Sequence, residues 1–192
     1  MRAGVGRKPA EAEKILEAAC RVFSQKGYFS ATVEDVMFSA GVGKGTVYRH
    51  FHSKEKLLLA ALNRTSHEMS DRLLSAIRPG LPVRDQLAAA AREWLAYFAA
   101  RPALLRVFVR EGALSIVSVR SAMRKMAADA NVRIARILGG ASHIRAAAVF
   151  HSMVFGHLRQ KLGFSDEKID PDWDSVFLVD MFLNGFRGRR KS

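Results

Sequence analysis

One cysteine in 192 residues leaves no partner for an internal disulfide. Cys20 lies in a helix-like stretch, and a reducing cytoplasm is the simplest home for such a chain. Metal and cofactor signatures are missing too. There is no paired-cysteine zinc pattern, no HExxH, no phosphate loop and no dinucleotide fingerprint. His143, His151 and His157 follow one another at spacings of eight and six, which sets them on different faces of a helix instead of the i, i+4 pair that grips a metal. A catalytic triad assembled in space leaves no local trace, and nothing points to one. We therefore expect no enzyme, no catalytic residue, no metal and no cofactor. Residues 1–9 lack the apolar run of a secretory signal, and no apolar segment is long enough to span a bilayer, so a soluble protein without a membrane partner is expected. Alternating strand patterns and hairpin signals are absent as well. Acidic residues are scarce: 18 Asp and Glu face 31 Lys and Arg, giving a formal charge of +13 and a pI near 10.6. That balance favours an anionic partner, nucleic acid or an acidic membrane surface, without choosing between them. What is plentiful is apolar: 49% hydrophobic residues exclude disorder and suffice for a core.

The most informative stretch is Thr32 to Phe51, TVEDVMFSAGVGKGTVYRHF. Thr32 followed three residues later by Asp35 can form a capping box, and Val33, Val36 and Met37 fall on one apolar side of the helix it would start. Ala40-Gly41-Val42-Gly43 interrupts the pattern where a tight reversal needs glycine. A second helix can begin at Lys44. Its Lys44, Thr46, Tyr48, Arg49 and His50 are donors suited to phosphate oxygens or base edges, while Val47 and Phe51 face inward. This is the layout of a DNA-reading helix-turn-helix. For His50, a solvated surface histidine is an equal alternative.

Upstream, Ile15, Leu16, Ala19, Val22 and Phe23 recur at helical spacing and predict a first helix over 10–25 that Lys26-Gly27 ends. Two short helices bury too little alone, so this one should pack across them. Residues 1–9, with Arg2, Arg7 and Lys8, read as a flexible basic arm, either a plain disordered terminus or a segment that lies along a DNA groove.

The run ILEAACRVFSQKGYFSATVEDV, then SAGVGKGTVYRHFHSKEKLL, resembles the DNA-binding domain of the TetR (tetracycline-repressor-like) transcriptional regulators. The matching positions are Phe23, Gly27, Tyr28, Thr32, Ala40, Gly41, Val42, Gly45, Thr46, Tyr48, Phe51, Lys54, Glu55 and Leu57. The resemblance implies that Tyr48 and Lys54 stand beside the DNA backbone as phosphate contacts. It leaves Lys44, Thr46 and Arg49 as candidates for base edges and His50 for either, with Gly45 permitting close backbone approach. Two positions depart from the family pattern. Gly43 replaces the usual Ser or Thr cap, and Met37 stands where the family usually has alanine between the helices.

Beyond Ser53, a candidate cap, Leu58, Leu62, Thr65, Met69, Leu73 and Ile77 mark a long helix stopped by Pro79-Gly80. It would join a head at 10–56 to a helical domain at 57–192 without a flexible linker. Stripes over Leu87 to Phe98, a short segment over 104–109, then Val119 to Ile137, Ile144 to Leu162, and a last helix after Asp170-Pro171 complete an all-α chain.

The last helix is apolar around much of its circumference. Packing against a second copy through Phe150, Val154, Val176, Phe177, Val179, Phe182 and Phe186 would cover it, as in the four-helix interface of the resembled family, and would space two reading helices for successive major grooves. A core helix within one subunit is the alternative. Trp94, Tyr97, Phe98, Phe108, Met123, Met126 and Phe150, with Glu111 and His151 as polar members, are candidates for an effector cavity between helices, though each singly also suits plain core packing. His143 and His157 are further polar candidates. The basic excess over 101–145 reads as a solvated face and is compatible with an anionic effector. The sequence thus predicts a cytoplasmic, homodimeric repressor that binds a near-palindromic double-stranded DNA operator and is released by an unknown small molecule. An architectural DNA-binding protein, and a helical ligand carrier or enzyme with a vestigial head, stand as the other classes.

Overall fold

The computed structural model describes residues 7–102, Leu105, 115–165 and 167–185, with side chains from Ala10 onward. Among these are eight α-helices and no strand: α1 (Arg7–Lys26), α2 (Val33–Ala40), α3 (Lys44–His50), α4 (Lys54–Ala76), α5 (Val83–Ala99), α6 (Val117–Ile137), α7 (Ile144–Gln160) and α8 (Pro171–Asn184). A 3-10 turn, Ala141–His143, leads into α7, and a π turn, Lys161–Ser165, extends it. Helix α1 begins at Arg7 and so takes in three residues that the sequence assigned to the arm. The short segment expected over 104–109 lies outside the described residues apart from Leu105, which is buried. No described helix is long and apolar enough to cross a membrane, and no group of three or more metal-ligating side chains occurs among the described residues.

The chain gathers into two compact units, with boundaries within α4, after Pro102 and within α6. The first comprises residues up to Ser66 and those from Ala103 to Arg124. The second comprises His67–Pro102 and the chain from Lys125 on. In the first, α1 packs chiefly on α2 and also touches α3. Its core is Ile15, Ala19, Phe23, Val36, Val47, Leu57, Leu58 and Leu62, drawn from all four helices. In the second, α8 lies mainly along α5, and α7 packs on both. Leu87, Ala91, Trp94 and Phe98 of α5 meet Phe150 and Val154 of α7 and Leu178 and Val179 of α8 in that core, all buried.

The elbow between α7 and α8 is built from charge. Asp170 caps α8 by accepting from the backbone N–H groups of Asp172 and Trp173, both at 3.1 Å, and Pro171 stands in the first turn where no N–H is needed. Asp174, fully buried, accepts from Lys161 Nζ at 3.0 and 3.2 Å and from the Asp170 N–H at 3.0 Å. His157 Nε2 is also 3.0 Å from its Oδ1, though outside hydrogen-bond geometry. A buried carboxylate is tolerated here because its oxygens face a cation and an amide.

Candidate nucleic-acid interface

Helix α2 starts as a reciprocal cap. The Asp35 N–H donates to Thr32 Oγ1 at 3.1 Å, and the Thr32 N–H donates back to Asp35 Oδ2 at 3.0 Å. Lys26 adds an ion pair to Asp35 at 2.6 Å, and this hydrogen bond, with those from Thr32, holds the Asp35 carboxyl down at about 2. Val33, Val36 and Ala40 turn inward, whereas Met37 is half-buried. Gly41 ends the helix at φ 60°, ψ 42°, the left-handed region that side chains resist, and the Val42 N–H closes the turn onto the Met37 carbonyl at 3.2 Å.

Helix α3 begins at Gly43 without a side-chain cap, as expected from the missing hydroxyl. Val47 is its buried anchor, and Phe51 is half-buried at its end. The other side carries Lys44, Tyr48 and Arg49, all exposed, with Thr46 half-buried beside them. Lys44 Nζ lies 5.9 Å from the centre of the Tyr48 ring and 3.1 Å from Glu34 of α2. Its hydrogen bond holds the Glu34 carboxyl below the ordinary range, and Glu34 in turn raises Lys44. Arg49 Nη2 is 3.5 Å from Glu11 of α1. These groups can exchange their carboxylates for phosphate oxygens or guanine acceptors, since such exposed pairs are weak.

Two of the six candidate DNA-binding residues are placed differently. His50 is largely buried, and its Nε2 has no hydrogen-bond partner, lying 3.7 Å from Glu11. Lys54 directs its ammonium into the head, donating to the carbonyls of Phe29 at 3.2 Å and Ala31 at 2.9 Å, above the Tyr28 ring at 4.5 Å. Burial, and then the neighbouring Glu55 charge, raise the Tyr28 hydroxyl above its ordinary value. Glu11 and Glu34 were not among the sequence candidates; Glu11 is 38 residues from Arg49, and no spacing rule joins them.

The model of the "Bacterial regulatory proteins, tetR family" matches residues 15–61, the stretch holding this arrangement apart from Glu11. Over residues 15–61 the chain matches the TetR family. Among curated relatives, the chain is 30% identical over 112 residues to an uncharacterized HTH-type transcriptional regulator, YhgD, of Bacillus subtilis, matching 58% of its own length and 59% of the relative. It is 27% identical over 88 residues to the HTH-type transcriptional regulator BetI of Rhizobium meliloti, with 46% and 43% covered. The matches thus span less than two thirds of these relatives. Among solved structures, the fatty acid degradation regulator FadR of Bacillus halodurans superposes with a TM-score of 0.84 at 21% identity, covering 97% of this chain and 100% of that one. FadR of Bacillus subtilis, solved with stearoyl-CoA, does so with 0.76 at 20%, covering 91% and 99%. At those identities the likeness shows the fold.

Beyond the matched head, the effector candidates Phe108 and Glu111 and the interface candidate Phe186 lie outside the described residues. Met123 belongs to the first unit, while Trp94, Tyr97, Phe98, Met126, Phe150 and His151 belong to the second. The second unit brings together Trp94, Phe98 and His151 around Phe155, which the sequence did not single out, with ring centres 4.7–5.9 Å apart. Burial drives His151 down to about 4, so it is neutral at physiological pH. Phe150 turns away, onto Phe182 at 5.1 Å.

The interface expectation needs correcting at three positions. Phe150, Val154 and Val179 are fully buried within the subunit and offer nothing to a second copy. Helix periodicity alone could not separate the side of α8 that packs on α5 from the side that remains open. The open side carries Val176 and Phe177 as expected, together with Trp173 and Leu183, which the sequence did not select.

Proposed function

We propose that this chain is a DNA-binding transcriptional regulator, a repressor that occupies a near-palindromic operator as a homodimer and is released by a small-molecule effector. The observation that carries the reading is α3: set by the Gly41 turn, anchored by Val47 and presenting Lys44, Tyr48 and Arg49 to solvent on a +13 chain. Tyr48 is assigned to phosphate, Lys44, Thr46 and Arg49 to base edges. Lys54 is assigned to bracing the head, with its remaining donor available to a phosphate. Dimerisation is supported by the exposed apolar strip Trp173, Val176, Phe177 and Leu183 on α8, where the Trp173 and Phe177 rings stack at 5.2 Å.

For the effector we propose a molecule with an apolar chain and an anionic head, of the fatty acyl-CoA class. The aromatic cluster around Phe155, the basic excess of the chain and the stearoyl-CoA bound by the FadR structure support that choice. Selection from a random duplex library, followed by competition gel shifts at rising salt, tests the DNA reading. A specific complex should survive salt and random competitor that dissolve non-specific ones. Equal affinity for selected and random duplexes would make the protein an architectural binder instead. Stearoyl-CoA added to the specific complex should release the DNA.

A further inference from the structure

Both cations assigned to base edges are held by a carboxylate from outside the reading helix. Glu34 of α2 lies 3.1 Å from Lys44, and Glu11 of α1 lies 3.5 Å from Arg49 and 3.7 Å from the unpartnered Nε2 of His50. These pairs do little for the fold. Lys44 and Glu34 are each more than half exposed, and exposed pairs of this kind contribute little to stability. The head is already fixed by the capping box, the Gly41 turn and Val47.

What the two carboxylates do change is the field at the surface that meets DNA. Non-specific affinity comes from cations neutralising phosphates and releasing counterions. A cation paired within the protein adds less to that term than a free one, because giving up even a weak pair offsets part of the gain. A guanine edge offers a compensation that a lone phosphate does not: two acceptors, N7 and O6, in a fixed geometry matched to the Arg fork or a Lys ammonium. The carboxylates themselves repel the phosphates on either side of the groove wherever base pairing does not draw the cations away.

We infer that Glu11 and Glu34 are specificity-determining residues that suppress binding of Lys44 and Arg49 to generic DNA and leave binding to the chosen sequence nearly intact. The raised Lys44 and lowered Glu34 titrations accord with a formed pair in the free protein. This inference rests on α3 being the DNA-reading helix.

The test uses full-length protein and two probes, a duplex selected from a random library by the wild-type protein and a random-sequence duplex of equal length. Glu11→Gln/Glu34→Gln should bind random duplex about five- to tenfold more tightly, with a log-affinity against log-salt slope steeper by up to about 2, while affinity for the selected duplex changes less than about twofold. Glu17→Gln is the control for bulk charge. It sits on the same helix, 56% exposed, 3.8 Å from Arg64 and away from these pairs, and it should move both probes equally and by less. If wild-type protein selects a sequence but the double variant gains no random-duplex affinity, or Glu17→Gln gains as much per charge, the carboxylate role is overturned and the operator reading stands. If wild-type protein selects no sequence, both fall.

Discussion

Lys54 donates to the Ala31 carbonyl across 2.9 Å, tying the first turn of α4 to the loop that leads into α2. A second donation to Phe29 and the Tyr28 ring beneath complete the bracket. Lys54→Met keeps much of the side-chain volume but leaves a carbonyl of the buried Ala31 without its charged donor. We expect a stability loss of about 1–2 kcal/mol by urea denaturation, together with weaker binding on selected and random duplexes alike. A pure phosphate contact would lower the affinity and leave the denaturation midpoint unchanged.

Three glycines of the reading head should answer substitution differently. Gly41→Ala forces a side chain into φ 60° and should destabilise the protein by about 1–2 kcal/mol. Gly43 is extended, with open space around an added Cβ, so Gly43→Ser should restore a cap and raise stability by a few tenths of a kcal/mol. Gly45→Ala, also into open space and inside α3, should gain about 0.5–1 kcal/mol and yet weaken DNA binding, because the new methyl stands on the exposed side assigned to DNA. Thermal melts and gel shifts on the same three variants check both signs. A Gly45→Ala protein that is more stable and binds undiminished would remove the close backbone approach assigned to that position.

The features legible in the sequence are those written within a few residues. The Thr32–Asp35 cap, the Gly41 reversal, the inward Val47 and the Asp170 start of α8 each follow from local spacing and backbone chemistry, and each is found. The features that escaped depend on what the chain meets in space. Lys54 reads as a surface cation until the loop carrying Phe29 and Ala31 is folded beneath it. Glu11 reads as a solvated residue until α1 lies across α3. On α8, Val176 and Val179 are the same residue type three positions apart, one 47% exposed and one fully buried, and only the seat on α5 separates them. Asp174 reads as a polar helix residue, yet it is the most deeply buried charge in its elbow.

That carboxylate should be expensive to remove. Asp174→Asn leaves Lys161, mostly shielded from water, without its counter-charge, and one-sided loss of a buried pair typically destabilises by about 3–5 kcal/mol. Asp174→Asn/Lys161→Met should recover part of that loss, since no unpaired charge then remains. Denaturation at fixed protomer concentration separates the cases, and the concentration must be held because any self-association adds to apparent stability. A single variant as stable as wild type would mean that the elbow is held by the Asp170 cap and the packing of α8 on α5 alone.

His151 supplies a pH dependence of opposite chemistry. Among the rings of Trp94 and Phe155 it titrates at about 4, whereas in the unfolded chain it takes its proton near 6.5. The unfolded state therefore binds more protons than the folded state between those values, and stability must fall as pH drops through that window. The full difference corresponds to at most about 3 kcal/mol, developed progressively from about pH 6.5 to about pH 4. Carboxylates titrate in the same range, so the measurement is the gap between wild type and His151→Phe at each pH. The Phe variant should lose less stability than wild type on going from pH 7 to pH 4.5, and parallel curves would place the His151 ring nitrogens in water instead of against the aromatic cluster.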